Sequence, residues 1–198
     1  MQIWWITKVV VPKLLLFILK GLDIMQIADM VSKIIKTETV PIHMYDLKFF
    51  SSVTYLKPNS DKQRGLYLPN CDSLETLEYC KSNMPDGFLR IKEMICTKCA
   101  FDEISFCVFS ILHEWGHWIQ YKDFIAEGHN DQEFIISYEL QRARLFSERT
   151  IEYKNCRNKE DVVNLNEKYE KLYAELPTEK YANDFALNHL CEAVKLIK

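Results

Sequence analysis

The chain has 198 residues, 48% of them hydrophobic, and its 25 Lys and Arg against 28 Asp and Glu give a formal net charge of -3. That length holds one core of ordinary size and is short for two independent domains. The slight acidity offers no broad basic surface of the kind phosphate neutralisation requires, which disfavours a nucleic-acid partner.

In chain order, the first feature is apolar. Ile3 to Leu19 is hydrophobic apart from Thr7, Lys8, Pro12 and Lys13. A spanning helix needs about 20 predominantly apolar residues, and two lysines with a proline make this a poor one. No small-residue cleavage site of a secretory signal follows. Residues 1–40 therefore read as a helical extension packed on the core, continued by Ile24, Ile27, Ala28, Val31, Ile34 and Ile35 at helical spacing. Membrane association is the lesser alternative, because an apolar run between Lys13 and Lys20 also suits an interface.

Beyond Pro41, residues 45–56, 64–69 and 87–95 read as short strands, with turns at Pro58-Asn59-Ser60-Asp61, Pro69-Asn70 and Pro85-Asp86-Gly87. Between the last two strands, Asp72 followed by Glu75 has capping-box spacing and opens a short helix to Asn83. From Asp102 onward the pattern predicts helices over 102–122, 131–153, 158–175 and 177–197. Strands first and helices later predict an α+β fold, mostly helical, with a small mixed or antiparallel sheet.

Seven cysteines, an odd and scattered set, point to a reducing, cytoplasmic setting and not to a disulfide framework. Cys96 and Cys99 have the spacing of half a zinc knuckle, but Cys71 and Cys80 lack the spacing to complete it, so free thiols are expected.

The chemistry concentrates in His113-Glu114-Trp115-Gly116-His117, a His-Glu-x-x-His sequence inside a predicted helix. At about 100° per residue His117 lies about 40° from His113, so both imidazoles share a face and can bind one ion. Glu114, at about 100°, sits beside that face as a general base and not as a ligand. Ile104, Val108, Ile111, Leu112, Trp115 and Ile119 cluster on the opposite side, giving the helix an apolar back to bury.

A second segment lies near the C-terminus. Pro177 suits the first turn of a helix on which Glu179 shares a stripe with Ala182, Asn183, Ala186 and Leu190. A carboxylate facing the core needs a partner or a metal, which makes Glu179 the candidate third ligand. Ala182 and Ala186 would let this helix approach the histidine helix closely, and Asn183 could orient a ligand imidazole. Glu139 is the competing third ligand, though Leu140-Gln141-Arg142-Ala143-Arg144 reads as a solvated face. His189, Tyr173 and Tyr181 are alternative donors to a developing oxyanion, and the sequence does not choose among them.

The pairing of His113-Glu114-x-x-His117 with Glu179-x-x-Ala182-Asn183-x-Phe185-Ala186 resembles the gluzincin peptidases, most closely the ImmA/IrrE-type proteins of phages and mobile elements. The HtpX and CAAX-prenyl endopeptidase group is a more distant likeness. The resemblance covers these two segments only. It implies a zincin-like catalytic domain over 41–198; ImmA/IrrE-type proteins usually place the third-ligand helix closer to the histidines, and the 61 residues between His117 and Glu179 are read here as containing a helical insertion at about 131–175. It further implies Zn²⁺ as cofactor and a protein or peptide as substrate. Where the wider group often has Asp one turn after the ligand Glu, this chain has Asn183. Two rival readings are a non-catalytic zinc-binding regulatory protein and a membrane-associated peptidase.

Overall fold

The computed structural model describes residues 24–35, 40–46, 48–54 and 63–198. Helix α1, Ile27–Ile34, buries Ile27, Met30 and Val31, an i, i+3, i+4 stripe. Ile35 is buried just beyond it, whereas Ile24 and Ala28 of the expected stripe are exposed. The start of α1 is pinned by backbone hydrogen bonds from Ile27 N–H to Cys71 O at 3.1 Å and from Ser73 N–H to Met25 O at 2.9 Å. The remainder of the expected 1–40 extension, including Ile3 to Leu19, lies outside the described residues.

Three strands follow: β1, Ile42–Tyr45; β2, Ser51–Val53; and β3, Gly65–Pro69. Their order is β1-β3-β2, with β1 parallel and β2 antiparallel to the central β3. Of the single strand expected over 45–56, Tyr45 ends β1 and Ser51–Val53 form β2, with bends at Asp46, Lys48 and Phe49 between them; residues 47, 55 and 56, and the turn expected at 58–61, lie outside the described residues. The bend is held where the Tyr45 hydroxyl donates to Phe49 O at 2.6 Å. In β3, Leu66 and Leu68 are fully buried on one face. Gly65 has a φ of 143° and lies so close to Pro41 that a Cβ there would fall 2.4 Å from the Pro41 carbonyl oxygen, which only glycine tolerates.

Helix α2, Ser73–Asn83, opens on Asp72, whose carboxylate accepts the Glu75 N–H at 2.8 Å. The return half of the box is not made, because the Glu75 side chain pairs with Lys48 instead. Residues 87–95, expected as a strand, belong to helix α3, Pro85–Cys96. Pro85 occupies the first turn with Asp86 beside it, and Phe88, Ile91 and Ile95 follow at i, i+3 and i+7 toward the core. The Pro-Asp-Gly triplet is therefore a helix start and not a turn.

The long helix α4, Glu103–Ala126, carries the histidines. A full capping box between Asp102 and Ser105 fixes its start. Every residue from Ile104 to Leu112 is buried, so the helix enters the site through the middle of the core and not along its edge. Next come α5, Asp131–Phe134, a π-helical segment at Ile135–Glu139, and α6, Leu140–Tyr153, so the helix expected over 131–153 is interrupted. Helix α7, Lys159–Ala174, returns beside α6 through contacts such as Arg149 to Asn166 at 2.9 Å and the Tyr169 hydroxyl to Glu152 at 3.0 Å. Asp131 anchors α5 by accepting from the Tyr121 hydroxyl at 2.6 Å and by pairing with Arg64.

Helix α8, Pro177–Ile197, closes the fold against α4. Ala182, Ala186 and Leu190 are fully buried on its inner face. A Cβ on Gly116 would lie 3.0 Å from Ala182 Cα and 3.2 Å from Phe185 Cβ, so the two helices meet at backbone distance. The architecture is α+β, mostly helical, with a small mixed sheet ahead of the histidine helix. Among the described residues no helix is long and apolar enough to cross a membrane.

Gly116→Val is expected to lower unfolding stability by about 1–3 kcal/mol through overpacking against the α8 backbone. Gly87→Ala meets nothing within 4 Å in α3 and is expected to stabilise by about 0.5–1 kcal/mol. Urea midpoints of the two variants check both; an unchanged midpoint for Gly116→Val would contradict the close approach.

Candidate metal centre

One turn of α4 separates His113 from His117, and their Nε2 atoms lie 3.2 Å apart. Glu179, in the first turn of α8, places Oε2 3.4 Å from His113 Nε2 and Oε1 3.8 Å from His117 Nε2. One ligand atom from each of the three residues lies within 4.8 Å of the others, and no other such group occurs among the described residues. The Glu179 side chain is only 3% exposed, and the Tyr173 hydroxyl at the end of α7 donates to its Oε1 at 2.6 Å. A carboxylate this deep is tolerated only with such partners.

The charges around the group are strongly coupled. Burial alone would raise the Glu179 pKa, but His113, His117 and Tyr173 outweigh it and hold the carboxyl down to about 2. His117 is pushed down to about 3 by burial and by His113. Burial works against protonation of His113 too, yet Glu179 and the charge of Glu114 raise its pKa above 6.5. Glu114 is raised by burial, with the Glu179 charge adding to it, while His113 and a hydrogen bond with Ser52 of β2 pull the other way. Two neutral-capable imidazoles and an ionised carboxylate converging on one point fit a divalent ion held by three protein ligands with a further position open.

Two cavities, of about 570 and 930 Å³, flank the group, and both are lined by His113, Glu114, Tyr173 and Glu179. The wider one runs along β2 from Ser51 to Thr54 and under Glu139, Arg142 and Phe146. Arg142 stands 5.9 Å from the ring centres of both Tyr173 and Phe146. Burial disfavours its charge, but Tyr173, Glu139, Glu179 and Glu114 more than offset this and raise its pKa.

The structure thus brings together His113, His117, Glu114 and Glu179 as the sequence pattern suggests. Asn183 is buried and lines the smaller cavity; its Oδ1 has no hydrogen-bond partner, nor has His113 Nδ1. Glu139 lines the wider cavity but lies outside the three-residue group. His189 is a correction: it is exposed, its ring packs on Phe185 at 4.6 Å, and it lines neither cavity. On the helical wheel it falls about 80° from Glu179, at the margin of the buried stripe. Tyr181 is likewise turned out, its hydroxyl 3.4 Å from Asp123. Cys96 is exposed and Cys71 sits against Thr76 Oγ1 at 3.0 Å, so these thiols form no second metal group among the described residues.

Ser52 and Arg142 are site residues that the pattern reading missed. A signal for Arg142 existed, because Glu139, Arg142, Ala143 and Phe146 form an i, i+3, i+4, i+7 stripe that faces the cavity. No protein-family model, curated protein or solved structure matches the chain.

Metal affinity is expected to rise with pH below 6.5, by about tenfold per unit, because the raised His113 pKa obliges the ion to displace one proton, while His117 and Glu179 are already deprotonated. Competitive zinc titrations across pH 5 to 8 with a chromophoric chelator check this. A flat profile below 6.5, or release of two protons, would contradict it.

Proposed function

We propose that the chain is a zinc-dependent metallopeptidase of the gluzincin type, acting on protein or peptide substrates. The observation that carries the reading is the convergence of His113, His117 and Glu179 with a buried, non-ligating Glu114 at the mouth of two cavities. His113, His117 and Glu179 would hold the ion. When bound, zinc supplies Lewis acidity that polarises a carbonyl and makes water more acidic.

The chain's own groups supply the rest. Glu114, its pKa raised, takes a proton from water as the oxygen attacks the scissile carbonyl carbon. As the carbon–nitrogen bond breaks, Glu114 passes that proton to the leaving amine. Tyr173 is committed to Glu179, and His189 and Tyr181 face elsewhere; Arg142, the cation that lines the wider cavity with Glu114, is the donor assigned to the developing oxyanion. Asn183 Oδ1 and His113 Nδ1 are both without a partner, so an orienting role for Asn183 would require a hydrogen bond that the structure does not make.

The strand expected to hold an extended substrate, 87–92, is helical, which moves that role to β2. Among the described residues it is an edge strand, pairs with β3 on one side, and lines the wider cavity beside Glu114. An extended peptide can add to such an edge through main-chain hydrogen bonds. The seven cysteines are free thiols, in keeping with a reducing, cytoplasmic setting.

The test is cleavage of a mixed peptide library by the zinc-loaded full chain, read by mass spectrometry. Glu114→Gln is expected to lower kcat by roughly 10²–10⁴-fold with zinc content unchanged. Arg142→Gln is expected to lower kcat by roughly 10²–10³-fold with little change in KM. Hydrolysis that survives Glu114→Gln, or a zinc-loaded wild type that cleaves nothing, would overturn the reading.

A further inference from the structure

We infer that Cys99 and Cys191 form a reversible oxidation site: a low-molecular-weight disulfide such as oxidised glutathione converts the two thiols to a disulfide that fastens α8 to the turn between α3 and α4. The inference is independent of the hydrolytic reading above.

Cys99 closes the Cys96-Thr97-Lys98-Cys99 pattern, which the metal centre leaves unused. Its place is fixed, because the Lys98 and Cys99 N–H groups both donate to the carbonyl of fully buried Ile95, at 2.9 and 3.0 Å. Cys191 arrives from α8, one residue past fully buried Leu190. Its Sγ donates to Lys98 O at 3.4 Å, so a sulfur 93 positions along the chain reaches the peptide group that joins Lys98 to Cys99. The two thiols meet there, and Cys191 acts on Cys99 both through its field and as a hydrogen-bond partner. The pairing of Lys198 with Asp102 closes the same seam. The other cysteines are placed differently. Cys71 is bonded to the Thr76 hydroxyl, Cys80 and Cys107 donate to the carbonyls of Lys48 and Ser73, and Cys156 donates to Glu152 O at the end of α6. Cys96, the last residue of α3, is exposed. Cys99 and Cys191 are each partly exposed, so a small oxidant has access to both.

The exchange balances with glutathione disulfide as the oxidant. The Cys191 thiolate attacks one of its sulfurs and one glutathione leaves; Cys99 then gives up its proton, attacks Cys191 Sγ and expels the second glutathione. One S–S bond breaks and one forms, two electrons pass from the protein to glutathione, and the two thiol protons end on the released glutathiones. Burial, Cys191 and Asp102 raise the Cys99 pKa against the pull of Lys198, which makes the second attack the slow one. The loop closed by Cys99 and Cys191 contains His113, His117 and Glu179, so the cross-link joins the ends of the segment that carries the whole metal group. Closing a long loop restricts the unfolded chain and raises stability.

Thiol mapping of the full chain tests this and reads no activity. Protein is equilibrated with glutathione buffers from fully reduced to mostly oxidised, its remaining thiols are alkylated, and the digest is read by mass spectrometry. The Cys99 and Cys191 peptides are expected to join with the loss of two hydrogens and to lose alkylation in step, and return to reduced glutathione should restore both. Cys96→Ser should keep the cross-link. The urea midpoint of the oxidised protein should exceed that of the reduced protein by about 1 M. This difference should vanish in Cys99→Ser and in Cys191→Ser. A disulfide between Cys96 and Cys99 formed in its place, glutathione attached at Cys99 or Cys191 without a cross-link, thiols that stay free at every ratio, or a cross-link with no rise in the midpoint would overturn the inference.

Discussion

Helices α4 and α8 can touch at backbone distance because Gly116 carries no side chain where Ala182 and Phe185 pass it. That contact decides where Glu179 lies. The carboxylate sits one turn before Ala182 on the same inner face of α8, and His113 and His117 bracket Gly116 on α4. A wider helix separation would pull the carboxylate away from both imidazoles. The buried first half of α4 holds the other partner rigid, since Phe106, Cys107, Val108, Phe109, Ile111 and Leu112 are each at most 1% exposed.

Burying Glu179 has a cost that its neighbours offset. The two histidines and the Tyr173 hydroxyl keep the carboxyl ionised, and the same field raises the His113 pKa while His117 is driven neutral. Tyr173 comes from α7 and Arg142 from α6, so the segment between the histidines and Glu179 is not an appendage. It supplies the roof of the wider cavity and the hydroxyl that secures the buried carboxylate. The π-helical segment at Ile135–Glu139 lies where this roof begins, with Ile135 and Glu139 both lining the cavity.

Much of the site was legible because it rests on helical periodicity. His113 and His117 share a face at any helix twist near 3.6 residues per turn, and an acid on a stripe with Ala182, Ala186 and Leu190 must be buried. The mostly helical architecture with its small sheet was legible for the same reason. Residues 87–95 were not, since Pro-Asp-Gly serves equally as a turn and as the first turn of a helix. Only the seating of Phe88 and Ile95 in the core decides between them. Arg142 was hidden by its neighbours: with Arg144 two positions on, the segment resembles a solvated face, and tertiary packing against Tyr173 is what turns it inward. The edge position of β2 among the described strands depends on strand order, which no local pattern encodes.

The central claim is that His113, His117 and Glu179 form one metal site, and elemental analysis addresses it most directly. Wild type, His117→Ala, Glu179→Ala and Glu139→Ala would be purified identically and assayed for bound metal per chain. About one zinc per chain in wild type and in Glu139→Ala, with loss of it in His117→Ala and Glu179→Ala, is the result this account requires. Metal-free wild type, or metal that stays in Glu179→Ala and departs in Glu139→Ala, would contradict it.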